Sequence, residues 1–271
     1  GCGRRAPRYR PVRDPDRQCH RNRLAYRHLL HAQRRCRRGR RRHGQQHGEP
    51  KLRRIAGGVF LAALAGLCVL ALPRGLADLR GFEARVLFKS WEAKRRQPSV
   101  EEWTYARSRL HEARELDPGQ PNYLEDIARL YEYRALPLKA GDAVAQGYLR
   151  QALEYQREAA RRRPGSPYTW ANIAVLKSRL PEPDREFETA LRNAALLGPW
   201  EPEVQITLAD TGFRHWGALA PETRTALRAN VARALRWQDA KLFELARRGG
   251  RLDVLCAAPG VARSPLARAC I

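Results

Sequence analysis

The chain has 271 residues, and 52 Lys and Arg against 28 Asp and Glu leave a formal charge of +24. The length suits one or two domains with a real core, while six Cys and a modest Gly and Pro content exclude a disulfide scaffold and a collagen-like chain. The charge is unevenly placed: residues 1–50 hold 16 Arg, no Lys and three acids, whereas residues 51–271 hold 36 basic and 25 acidic side chains.

Residues 1–50 contain no Ile, Phe or Trp, and Val12, Leu24, Leu29 and Leu30 are their only strongly apolar side chains. Such a segment buries too little surface to offset its ordering entropy, so it is expected to be disordered. The run Arg34, Arg35, Arg37, Arg38, Arg40, Arg41, Arg42 has the composition of a basic arm for nucleic acid. The preferred reading is different. Arg, Gly, His, Gln and Pro in excess, in a chain with no Met, is what a GC-rich gene yields when translated upstream of its true start, which would lie near Lys51. A nucleic-acid partner is then not expected. Cys2, Cys19 and Cys36 and the five nearby His show no zinc-ligand spacing.

Ile55 to Leu72 is an eighteen-residue run without a charged or strongly polar side chain, followed by Pro73 and Arg74. As a helix it rises about 27 Å, close to the thickness of bilayer hydrocarbon. A core helix would show a polar face, and a cleaved signal would show a small-x-small site soon after the apolar run. Neither is present, so residues 51–74 read as an uncleaved transmembrane signal anchor. Lys51, Arg53 and Arg54 keep the N-terminal side cytoplasmic. In a bacterial inner membrane the rest then faces the periplasm, although Arg74, Arg80 and Arg85 soften the asymmetry. Gly58, Ala62, Ala63, Ala65 and Gly66 are small enough for helix packing but form no GxxxG. Residues 75–98 read as a membrane-proximal linker helix.

From residue 99 the pattern is helical throughout, opened by the capping box Ser99-x-x-Glu102. P-x-x-P occurs three times, at Pro118/Pro121, Pro164/Pro167 and Pro199/Pro202. Ala113, Ala159 and Ala194 precede the first proline by five residues. Ala128, Ala174 and Ala209 follow it by ten, each after a large aliphatic residue, Ile127, Ile173 or Leu208. Proline ends one helix and opens the next, and the alanines let paired helices approach closely. This pattern, with Leu116-Asp117-Pro118 and the segment Tyr168–Ala174, resembles the tetratricopeptide repeat. The expected fold is therefore all-α: one N-terminal transmembrane helix, a TPR-like helical-repeat solenoid over 99–257, and a C-terminal tail over 258–271. An insertion over 135–147 lengthens the first repeat. In the last, Gly212 and Trp216-Gly217 are expected to end a helix before two more, Pro221 to about Trp237 and about Asp239–Arg247.

No nucleophile elbow, P-loop or dinucleotide fingerprint is present, and no catalytic residue, metal ligand or cofactor is expected. His111 is read as a solvated face position. Cys256 and Cys270 could pair in an oxidising compartment, but the bond needs a geometry that sequence does not show. Trp170, Trp200 and Trp216 read as core and turn packing; the sharper alternative is a platform for sugar or peptide. Arg161, Arg162 and Arg163 read as a solvated helix end; the sharper alternative is a receptor for phosphates.

One family resemblance gathers these features. A basic start and single span precede W-x-x-A-R-x-x-L-x-x-A-x-x-L-D-P (Trp103 to Pro118) and S-P-Y-x-W-A-N-I-A (Ser166 to Ala174). L-G-P-W-E-P-E-V-Q (Leu197 to Gln205) and G-R-L-D-V-L-C (Gly250 to Cys256) follow. Together these resemble the VpsP-type proteins that accompany bacterial exopolysaccharide gene clusters. The resemblance covers about residues 51–257. It implies a membrane-anchored, non-catalytic adaptor in exopolysaccharide synthesis or export. The implied partners are other assembly proteins and the polymer or its lipid-linked precursor. A general interaction scaffold of the cell envelope is the alternative.

Overall fold

The computed structural model describes residues 50–139, 141–181 and 184–270. The disorder, nucleic-acid and translation-start readings of the N-terminal segment fall on residues outside these. All regular structure among the described residues is helical, and no strand occurs. The chain divides into two compact units, the first ending at Ala65 and the second beginning at Gly66.

Helix α1 (Pro50–Ala93) is long and apolar enough to cross a membrane. It does not end at Pro73, where the sequence suggested a break between span and linker. Proline removes the N–H owed to the Val69 carbonyl, but the helix goes on because later turns are held by burial. Ala77, Ala84, Phe88 and Trp91 lie on one face and are almost fully covered. At Gly81 a Cβ would stand 2.8 Å from the Tyr123 ring, so glycine sets how closely α1 approaches the next helices. The expected linker helix of residues 75–98 is thus one wall of the core.

After α1 come α2 (Val100–Leu116), α3 (Pro121–Ala135), α4 (Ala143–Arg162), α5 (Pro167–Arg179) and α6 (Arg185–Leu197). Then follow α7 (Pro202–His215), α8 (Pro221–Ala234), α9 (Asp239–Arg248) and α10 (Leu252–Cys256). The capping box forms as read: Ser99 Oγ accepts from Glu102 N–H, and Glu102 accepts from Ser99 N–H. Helices α3 and α4, α5 and α6, and α7 and α8 pack as neighbours in sequence; α5 also meets α7, and α6 meets α8.

The P-x-x-P turns are built alike. Asp117, Arg163 and Gly198 cap their helices by donating to the carbonyls of Ala113, Ala159 and Ala194, at 3.0, 2.9 and 3.0 Å. Their φ/ψ pairs are −137°/76°, −135°/71° and −122°/52°. Gln120, Ser166 and Glu201 then open the next helices with φ near −82° and ψ near 111°, and Pro121, Pro167 and Pro202 fill the first helical position, where no N–H is needed. Ala113, Ala128, Ala159, Ala174, Ala194 and Ala209 are all buried, beside Ile127, Ile173 and Leu208. Ala174→Leu is expected to overpack this contact and cost about 1–3 kcal/mol. Gln151→Leu on the exposed side of α4 should stay within about ±0.5 kcal/mol. Equal losses of denaturation midpoint at the two positions would falsify the register.

Three boundaries differ from the sequence reading. Gly212 lies inside α7, where a Cβ would meet Leu227 at 2.5 Å, and that helix runs on to a 3-10 turn at Trp216–Ala218. Gly147 lies inside α4, so the insertion shrinks to the loop before Ala143. Residues 258–270 are not a loose tail. Ala258 is buried, Val261 and Cys270 pack on the core, and Ser264 donates to Asp239 at 2.7 Å. Cys256 and Cys270 form a disulfide with Cα atoms 5.5 Å apart, a pairing that the sequence alone left open.

Candidate functional site

The three consecutive arginines do not form one open cluster. Arg163 folds back on α3 and forks onto Glu125 at 2.9 and 3.0 Å. Arg162 donates to the Pro118 carbonyl and to Glu158. Only Arg161 projects outward without a described partner, because successive helical side chains point about 100° apart. A single exposed guanidinium is a poor phosphate receptor, and the other two tie the second P-x-x-P turn to the first.

The tryptophans divide as well. Trp170 is half-buried, and its Nε1–H donates to the Pro164 carbonyl at 2.7 Å, making it part of the second turn. Gln205 takes the corresponding role in the third: buried, it donates through Nε2 to the Pro199 carbonyl at 2.8 Å. Arg233 donates to the same oxygen at 3.0 Å, and Asn230 to the Gln205 carbonyl at 2.9 Å. The Gly-Pro-Trp-Glu-Pro-Glu-Val-Gln motif is therefore largely structural, and a Cβ at Gly198 would meet the Pro167 ring at 2.6 Å. Trp200 is the exception: it is 57% exposed and carries the Arg236 guanidinium 5.9 Å from its ring centre. Trp237, which the sequence did not single out, is 65% exposed and follows Arg236 in the chain. Trp200 and Arg236 form an aromatic, basic pair of the composition found at interaction hot spots.

A polar strip along α3 was not read from the sequence. Arg85 of α1 donates to Asp126 at 3.0 Å. Glu92 of α1 takes Arg129 and, at 2.9 Å, the Tyr133 hydroxyl. Arg179 of α5 stands 3.6 Å from Glu132. Burial raises Asp126 to about 6 and Glu132 to about 7, against the opposing pull of Arg85 on the first and Arg179 and Arg129 on the second. The Glu132 side chain keeps 23% of its surface, so it is crowded by protein yet reachable by water. Glu132 lies one turn beyond the buried Ala128, so the helical period alone placed it on the packed side.

The sign of the pH effect follows. A carboxyl raised on folding holds its proton in the native chain where the unfolded chain has lost it. Its contribution is fully present below about pH 4 and is lost as pH rises through about 7. Glu132→Gln mimics the protonated form. It should match the parent chain near pH 4 and exceed its stability by about 1–3 kcal/mol at pH 8. Denaturant midpoints across this range give the test, and a difference independent of pH would rule out the raised carboxyl.

His111 is half-buried against Tyr155, ring centres 6.4 Å apart, rather than solvated as expected. Burial, then Arg107 and Arg114, depress its pKa. His215 packs edge-on against Phe187 at 5.2 Å and is likewise lowered by burial. Among the described residues no group of three His, Cys, Asp or Glu side chains is placed to hold a metal ion. No protein-family model matches the chain, and no curated protein matches it significantly.

Proposed function

We propose that the chain is a membrane-anchored helical-repeat adaptor of the bacterial inner membrane, serving exopolysaccharide biosynthesis or export without catalysis of its own. The observation that carries the adaptor reading is the threefold P-x-x-P turn, with its repeated caps and buried alanines, following a helix apolar enough to span a bilayer. Tandem helical hairpins of this kind bury one face against each other and leave another for partners. The polysaccharide role rests on the VpsP-type motifs, in which Trp200 is the most exposed large apolar side chain. The N-terminal side is cytoplasmic and the repeats are periplasmic. Lys51, Arg53 and Arg54 support this orientation, and the Cys256–Cys270 bond suits an oxidising compartment.

The partners under this reading are other assembly proteins, with Trp200 and Arg236 as the contact patch and the polymer or its lipid-linked precursor as a second ligand. A reporter that works only in the periplasm, fused after Ile271, should be active. An inactive one would overturn the topology. Deletion of the gene should abolish polymer secretion, and Trp200→Ala with Arg236→Ala should reduce it in a folded, membrane-inserted chain. Normal secretion in the deletion strain would leave the alternative, a general envelope scaffold.

A further inference from the structure

We propose that a cavity beside the loop before α4 holds one acidic sugar residue, a uronate, of an anionic polysaccharide. This rests on the polysaccharide reading above and narrows its second ligand. The cavity, of about 220 Å³, lies between the loop that joins α1 to α2, the end of α3, the loop before α4 and the first turns of α4. Pockets for drug-sized ligands run from about 300 to 1,000 Å³, so this one seats a single ring and not a run of polymer.

The charge of the site is set by Arg134, the one charged side chain among the described residues that line it. Arg134 is half-buried, yet it differs from the other half-buried arginines around it. Arg85, Arg109, Arg114 and Arg179 each meet a carboxylate. Arg134 meets none among the described residues; its guanidinium stands 5.3 Å from the centre of the Trp103 ring. A cation–π contact uses the charge but none of the N–H groups, which stay available to a planar anion. The neighbouring carboxylates are already engaged: Glu92 by Arg129 and the Tyr133 hydroxyl, Glu102 by Arg96, and Glu132 by Arg179. Trp103 is itself fixed, donating from Nε1 to the Leu130 carbonyl at 3.0 Å, so the guanidinium is in place before a ligand arrives.

Two features select a sugar as the body of that anion. Tyr133 and Tyr148 line the cavity, and a phenol ring is an apolar plate on which the C–H face of a sugar can lie. Tyr148 is braced against Tyr131, ring centres 6.3 Å apart. Beside Arg134 stand the Gln97 amide and the Tyr148 hydroxyl. Sugar hydroxyls both donate and accept, and an amide and a phenol answer both needs, whereas a bare carboxylate calls for donors alone.

The cavity is also built from residues that the repeat does not require. Tyr148 stands eleven residues before Ala159, and the same count back from Ala194 falls ahead of α6, which begins at Arg185. The corresponding position of the next repeat is therefore not helical, and the first turns of α4 belong to the extra length of the first repeat. Pro137 and Leu138, from the loop before α4, add the apolar side of the site. Added length at a loop is where scaffolds of this kind carry binding residues. The surplus of basic over acidic side chains in residues 51–271 draws a polyanion toward the chain, and the cavity gives it one place to dock.

The test is calorimetric titration of the full chain in detergent with trigalacturonate, at an ionic strength of about 0.15 M to screen long-range attraction. Binding is expected at about 0.1–1 mM, as suits a site for one small unit. The methyl ester of the same trisaccharide, which keeps the rings and loses the charge, should bind at least about tenfold more weakly, and Arg134→Gln should weaken trigalacturonate by a similar factor. Tyr148→Ala should cost about fivefold or more. Gln97→Trp fills the cavity from an exposed position, so it should abolish binding without disturbing the fold, which circular dichroism checks. Arg161→Gln, an exposed arginine elsewhere, should leave the affinity within about twofold. No binding by the parent chain up to about 10 mM would overturn the proposal. So would undiminished binding in Arg134→Gln or Gln97→Trp, or equal affinity for the ester. Triglutamate bound as tightly, with the same dependence on Arg134, would replace the sugar by an acidic peptide. The titration needs no cell, so it is separate from the secretion test: binding here with normal secretion in the deletion strain would strike the biosynthetic role and leave the site.

Discussion

Phe88→Ala should cost about 3–5 kcal/mol of stability, the range for truncating a fully buried aromatic side chain. Phe88 is 1% exposed and lies 5.4 Å from the Trp91 ring and 5.6 Å from the Tyr133 ring, with the Arg129 guanidinium 5.4 Å from its own. Removing it deletes buried area and leaves a cavity whose walls are two stiff aromatic rings and a helix backbone, none of which collapses easily. Phe82→Ala, nearly two turns earlier and 56% exposed, should change the stability of the chain in detergent by no more than about 0.5 kcal/mol. Denaturation of the full chain in detergent, followed by tryptophan fluorescence, measures both. Similar small losses at the two positions would show that residues 75–98 lie outside the core, as the membrane-proximal linker helix that the sequence suggested.

Loss of the Cys256–Cys270 bond should cost about 3 kcal/mol, the value for a closed loop of roughly fifteen residues. The two cysteines are 14 residues apart in sequence, and the loop between them carries little regular structure to hold it. Its buried contribution is small, mainly Ala258 and the half-covered Val261, so the bond rather than packing keeps residues 258–270 on α9 and α10. Cys256→Ser with Cys270→Ser should lower the denaturation midpoint, and reductant should bring the parent chain to the same value. A parent chain indifferent to reductant would show that packing alone suffices.

What the sequence made legible follows from the kind of signal each feature leaves. The six alanines and their aliphatic neighbours could be read because a buried contact between helices demands small and large residues at fixed spacing, and that demand recurs three times. The capping box was equally plain, because both of its hydrogen bonds lie within four residues. The core role of Ala77, Ala84, Phe88 and Trp91 was not legible, because the same helix carries a second apolar stripe and periodicity alone does not say which stripe is covered. The partners of Arg162 and Arg163 were hidden for another reason. Pro118 and Glu125 lie about forty residues away, and no local pattern encodes a pairing over that distance. The Cys256–Cys270 bond belongs with these, since it depends on a short segment folding back in space.

The ion pairs along α3 also set a limit at the other end of the pH scale. Their cations are Arg85, Arg129, Arg163 and Arg179, and guanidinium groups keep their charge beyond any pH a protein normally meets. Alkali therefore does not dissolve this network from its basic side. It acts through two phenols. Burial and their carboxylate partners push Tyr123 and Tyr133 up to about 12, so the folded chain keeps protons that the unfolded chain surrenders from about pH 10 upward. Stability falls across that interval. An alkaline wash, the common way to strip peripheral proteins from membranes, would thus loosen the helical domain itself. For this molecule, partition into a detergent phase at neutral pH is the cleaner gauge of whether α1 enters a membrane.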